Sequence, residues 1–105
     1  MTFKTTAVGV NVQFTGTATN ATINGTLSKL PFTIPTSIPA PLADVHFNTP
    51  IVYGIPNVTS RDGGYMRIIF HADRSIEYVS HSGRDGMTSS FTSDFTINDQ
   101  TNWFF

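Results

Sequence analysis

Cysteine is absent from this chain and charge is scarce: 12% of its 105 residues are Asp, Glu, Lys or Arg, against about 25% in ordinary soluble domains. Without thiols there is no disulfide scaffold, no thiolate zinc site and no cysteine nucleophile, so burial or association with other chains must stabilise the fold. Six basic and seven acidic residues leave a formal net charge of -1. Lys4, Lys29, Arg61, Arg67, Arg74 and Arg84 stand singly, with acids beside Arg61, Arg74 and Arg84. That scatter excludes the basic stripe needed to neutralise nucleic-acid phosphates and the polybasic cluster that binds anionic lipid. No run approaches the roughly 18 apolar residues of a membrane-spanning helix, so no membrane insertion is expected. The first residues lack the charged start and apolar run of a signal peptide. One domain over residues 1–105 is expected, either a whole small protein or a domain excised from a longer chain.

What the chain does contain is apolar and neutral-polar. Hydrophobic residues make up 39%, with nine Phe, three Tyr and one Trp, enough for one core. Abundant Thr, Ser and Asn supply solubility, and their hydroxyls and amides are the partners of neutral hydroxylated ligands.

Helical periodicity is nearly absent and period-two alternation is common. Val8, Val10, Val12 and Phe14 alternate with Gly9, Asn11 and Gln13, the pattern of a strand with one buried face. Stretches 18–23 and 26–30 flank Asn24-Gly25, a dipeptide suited to a type I′ hairpin turn, which predicts a hairpin there. All six prolines fall between Pro31 and Pro56. They limit residues 32–34 to a short edge piece, make 35–41 extended loop and leave 51–55 as a short strand. Residues 65–71 give the clearest strand, with Met66, Ile68 and Phe70 on one face and Tyr65, Arg67, Ile69 and His71 on the other. A tight turn at 72–75 returns into a strand over 76–80. Turns at 61–64 and 83–86, a strand over 89–97 and the closing Trp103-Phe104-Phe105 complete the pattern. The expected fold is all-β: a small antiparallel Greek-key β-barrel or sandwich of about six to eight short strands.

The residues that could carry chemistry gather at Phe70-His71-Ala72-Asp73. An ionised Asp accepts from two neighbouring hydroxyls of a diol, a neutral His donates or accepts beside it, and an aromatic ring such as Tyr78 gives an apolar wall for a sugar face. The plainer alternative makes Asp73 a turn residue and His71 a surface strand residue. Metal binding would need further ligands, and His46 and His81 have no diagnostic spacing, so no metal and no cofactor is expected. Nucleophile elbows, phosphate loops and dinucleotide fingerprints are missing, and no carboxylate pair is marked for glycoside hydrolysis. Sequons at Asn20, Asn24 and Asn57 are what a Thr- and Asn-rich chain produces by chance. The terminal aromatic cluster is either buried in the core or packed on a neighbouring subunit.

Gly63-Gly64 followed by Tyr65, then Phe70-His71-Ala72-Asp73 into a turn, and later Ser93-Asp94-Phe95-Thr96-Ile97-Asn98 form a set that resembles the head, or tip, domain of the receptor-binding proteins of lactococcal tailed phages. The resemblance covers much of the chain and is clearest over residues 63–97. It implies a small antiparallel β-barrel, a homotrimer, a place in the virion at the tail tip or baseplate beside other phage baseplate or tail proteins, and a saccharide site for host cell-surface polysaccharide. In that family a His, an Asp and a following aromatic, usually Trp, line the pocket. His71 and Asp73 match the first two. The Trp is missing from the next strand, where Tyr78 is the nearest counterpart, with Trp103 as second candidate. Arg84, in a turn, is a further candidate as a donor to sugar or phosphate oxygens.

The expected function is therefore non-catalytic adhesion through a saccharide. A shallow pocket for one sugar reaches about millimolar affinity, near -4 kcal/mol, which a trimer repeated over an assembly raises by about 10² to 10⁴ in avidity. The alternatives are a structural fibre or baseplate module without glycan binding, and a small glycan hydrolase.

Overall fold

The computed structural model describes residues 1–23, 25–53, 63–81 and 91–105, with side chains excepted at 20–23, 51–53, 63 and 91–93. Every regular element among them is a strand: β1 (Thr2–Thr5), β2 (Gly9–Ile23), β3 (Ser28–Lys29), β4 (Val45–Tyr53), β5 (Gly63–Phe70), β6 (Ile76–His81) and β7 (Phe91–Phe104). All pairings are antiparallel and run in the order β1-β2-β7-β4-β5-β6-β3. The all-β expectation holds.

The ladder folds where β4 meets β7. β2 and β7 pair from Gly9↔Phe104 to Ile23↔Phe91, whereas among the described residues β4 pairs with β7 at Val52↔Thr96 and Tyr53↔Phe95. Beyond that corner the sheet parts into two leaves, β1-β2-β7 and β4-β5-β6-β3. Their rings meet in the interior: Phe70 of β5 lies 6.1 Å from Phe3, 6.0 Å from Phe14 and 5.2 Å from Trp103, and Phe14 stacks on Phe47 at 5.4 Å. Face-to-face leaves with interdigitating aromatics make a β-sandwich. β4, β5 and β6 are consecutive neighbours and β3 returns beside β6, which is a Greek-key arrangement read from the C-terminal end.

Alternation accounts for the core. Val10, Val12 and Phe14 from β2 and Met66, Ile68 and Phe70 from β5 are buried in one cluster with Ile76, Phe95 and Trp103. β2 and β7, at 15 and 14 residues, are long for strands. At about 3.4 Å per residue they span close to the 47 Å long axis of the molecule. The separate strand and aromatic terminus expected near the C-terminus are one element, β7.

Three local readings change. Residues 18–23 and 26–30 are not a hairpin: the first pair with β7 and β3 pairs with β6 through Ser28↔Tyr78 and Lys29↔Glu77. Gly25 does take the left-handed φ of +69° that the turn chemistry requires. But the chain crosses from one leaf to the other there: the first flank continues the β2–β7 ladder and Ser28–Lys29 joins the edge at β6. Residues 32–34 are not strand, yet Ile34 is fully buried. β4 starts at Val45 and runs through Pro50. Proline is accommodated because β4 contacts β7 only from Val52 onward, leaving one edge unpaired at Pro50.

Candidate functional site

The β5–β6 hairpin decides which candidate residues share a surface. Its register sets Ile68 opposite Tyr78 and Ile69 opposite Glu77. Side chains alternate across a strand, so Tyr78 follows Ile68 to the interior face and Glu77 follows Ile69 to the outer face. His71 continues the outer row of Tyr65, Arg67 and Ile69. His71 and Tyr78 therefore lie on opposite faces of one sheet, and the expected site of His71, Asp73 and Tyr78 does not assemble.

His71 instead sits between two carboxylates. Its Nδ1 is 2.9 Å from Asp44 Oδ1, just before β4, and its Nε2 is 2.5 Å from Glu77 Oε1 on β6. The hydrogen bond to Asp44 raises the imidazole pKa above the ordinary 6.5, opposed by partial burial and reinforced by Glu77. With both ring nitrogens engaged, His71 has no free polar atom for a sugar hydroxyl. Asp73 serves the turn: its Oδ1 accepts from Ser75 N at 2.9 Å and from Ser75 Oγ at 2.6 Å. The Ser75 bonds hold its carboxyl below the ordinary 3.8. This is an Asx-type turn bond, and Asp73 is exposed at the hairpin tip. The neighbouring Arg74 adopts φ +78° and its Nη1 donates to the carbonyls of Pro35 and Ile38, each at 2.7 Å.

Tyr78 faces a cleft. Between the leaves, an open cavity of about 660 Å³ is lined by Phe14, Leu30, Met66, Ile68, Tyr78 and Ser80 among others, with Thr26 and Ser28 also on its walls. Its volume lies within the roughly 300–1,000 Å³ of small-molecule sites. Among the described residues, no side chain that lines it is Asp, Glu, His, Lys or Arg. The cleft forms because the two leaves, joined at the β4–β7 corner, face each other with Ala18 and Gly16 on β2 too small to fill the gap.

Trp103 is corrected from ligand wall to core. It is 4% exposed, packs on Phe70 and Phe3, and its Nε1 donates to Pro39 O at 3.2 Å. An indole on the inward row of β7, opposite Val10, is closed to a ligand. Arg84 lies outside the described residues. Sequence reasoning missed Asp44 and Glu77 as partners of His71. Glu77 was within reach of a hairpin register, whereas Asp44 is brought in only by the β4–β5 pairing, which no local pattern announces.

No protein-family model, curated protein or solved structure matches the chain.

Proposed function

We propose that the chain is a non-catalytic recognition head of a phage tail, which takes a neutral cell-wall saccharide in the cleft beside Tyr78. The observation that carries the reading is the cleft itself: a tyrosine ring in an open cavity of about 660 Å³ whose described lining side chains include no acid, base or cation. Apolar walls and an aromatic ring suit the C–H face of a sugar, and the hydroxyls of Tyr78 and Ser28 suit its oxygens. Glycoside hydrolysis needs two carboxyl groups about 5–9.5 Å apart across the scissile bond, and the described lining offers none. The resemblance of residues 63–73 and 93–98 to phage receptor-binding heads supports the source of the saccharide, the homotrimer and the place at the virion tip.

One observation favours a second reading, assembly through protein contacts. Val8, Phe104 and Phe105 are exposed together, and Phe105 N donates to Val8 O at 3.0 Å. Three large apolar side chains at one end of the β2–β7 ladder suit burial by a neighbouring chain.

The two readings separate in a ¹H–¹⁵N shift titration with soluble wall fragments from candidate hosts. Saccharide recognition predicts saturable shifts at Tyr78, Ser80 and Ile68. Shifts confined to the 71–75 tip, or no shifts at all, contradict the cleft assignment.

A further inference from the structure

Residues 30–44 cross one end of the sandwich as a strap without strand. Leu30 N donates to Ile76 O at 2.8 Å and Ile34 N to Arg74 O at 2.9 Å. Arg74 Nη1 grips the Pro35 and Ile38 carbonyls and the Trp103 indole grips that of Pro39. These ties use backbone groups, an indole N–H and a guanidinium, none of which titrates near neutrality. The last tie is different. Where the strap enters β4, Asp44 meets His71.

We propose that His71 is a pH-sensitive clasp that holds the Asp44 side chain, where the strap enters β4, to the β5–β6 hairpin while the imidazole is protonated, tightening the strap, and lets that side chain go when the ring is neutral. The geometry requires the proton. Both ring nitrogens lie at hydrogen-bonding distance from a carboxylate oxygen, 2.9 Å on one side and 2.5 Å on the other. A neutral imidazole has one N–H and one lone pair, so it serves one carboxylate and repels the other. Asp44 is the partner released, because its side chain is 50% exposed against 24% for Glu77, and water replaces the lost bond more readily there.

The charged and titratable surroundings are Asp44 before β4, His46 on β4, Glu77 on β6, Asp73 and Arg74 in the hairpin turn, and Lys29 on β3 opposite Glu77. Arg74 is turned to the strap carbonyls, and Lys29 acts on Asp73. The two carboxylates thus dominate at His71 and raise its pKa. The sign follows: a group whose folded pKa is raised contributes stability in full below its unfolded value of 6.5, and loses it as pH rises through the folded value. Release therefore falls above pH 6.5. Leu30 and Phe32, at the start of the strap, also line the cleft; the clasp itself stands whether or not the cleft takes a saccharide.

The test is an NMR pH titration of the ¹⁵N-labelled full chain from about pH 5 to 9. It follows the His71 ring and the exchange protection of the Ile34 amide and the Trp103 indole, each corrected for its intrinsic exchange rate. The indole signal is unambiguous because the chain has one Trp. His71 should titrate above 6.5, and protection should fall about five- to tenfold across the same midpoint, the equivalent of one ordinary net hydrogen bond at a half-exposed carboxylate. In D44N and H71Q protection should stay at the high-pH level throughout, while H46Q keeps the wild-type step. A His71 midpoint at or below 6.5, flat wild-type protection, a step that survives in D44N, or one that vanishes in H46Q overturns the clasp.

Discussion

The indole of Trp103 on β7 and the ring of Phe70 on β5 lie 5.2 Å apart at 47°, one from each leaf of the sandwich. Phe3 and Phe14 close on the same Phe70 ring from β1 and β2, so a single fully buried phenylalanine joins the interior faces of both leaves. Among the described residues, the ladder joins the leaves at the β4–β7 corner through Val52↔Thr96 and Tyr53↔Phe95. Aromatic packing across the interior therefore joins the leaves away from that corner.

Replacing that ring should be close to the limit the domain tolerates. Phe70→Ala is expected to cost about 3–5 kcal/mol, a large share of the roughly 5–15 kcal/mol of a typical domain. Urea denaturation should show a large fall in midpoint with little change in slope. Phe104→Ala, at an exposed ring, should stay within about 0.5 kcal/mol. Equal losses in the two variants would contradict the placement of the core.

Gly9 marks a close approach of β2 to β7. A Cβ there would lie 2.0 Å from the Trp103 carbonyl oxygen, an overlap that only strand separation relieves. Gly9→Ala should destabilise by about 1–3 kcal/mol, as overpacking does, and should weaken Trp103 burial, read as a red shift of its fluorescence. Unchanged stability and emission would show that the strands have slack.

The Asp73 turn bond predicts an acid limb. Its carboxyl is held below the ordinary 3.8 by Ser75. A depressed folded pKa means that the contribution is complete above the unfolded value and is lost as pH falls through the folded one. Wild type should therefore melt above Asp73→Ala at pH 5 to 6, with the gap closing as the pH drops below about 4. A gap that persists at pH 2 would mean that the ionised carboxylate is not what the turn uses.

Much of this architecture was legible from alternation. Val10, Val12 and Phe14, and Met66, Ile68 and Phe70, reach the core because strand periodicity dictates one face, while Val8, read on the same face, precedes β2 and is exposed; the 72–75 turn appears where Asp73 can bond its own backbone. What alternation cannot supply is partnership. Asn24-Gly25 has hairpin chemistry, but its flanks pair with β7 and β6, since the first flank continues the long β2–β7 ladder and leaves the second to another partner. Ile34 is buried from a proline-rich strap that has no period to read.

The candidate site failed in the sequence for a related reason. Grouping His71 with Tyr78 followed their nearness along a hairpin, although the 68↔78 register sends them to opposite faces. Trp103 is a candidate only through the resemblance, as a stand-in for the Trp missing after the turn, and a terminal aromatic gives no sign of which row it occupies. Its pairing with Val10 places it inside. The Tyr78 cleft is a product of two leaves meeting, which no single segment encodes.

The most direct test is calorimetric titration of host cell-wall saccharide fragments into the wild type, Tyr78→Ala and Asp73→Ala, each shown to be folded, at low and high salt. Binding in the cleft predicts an affinity about five- to tenfold weaker for Tyr78→Ala and near wild type for Asp73→Ala. It also predicts little change with salt, because the lining carries no charged side chain among the described residues. Wild-type affinity in Tyr78→Ala, or a loss confined to Asp73→Ala, would contradict it.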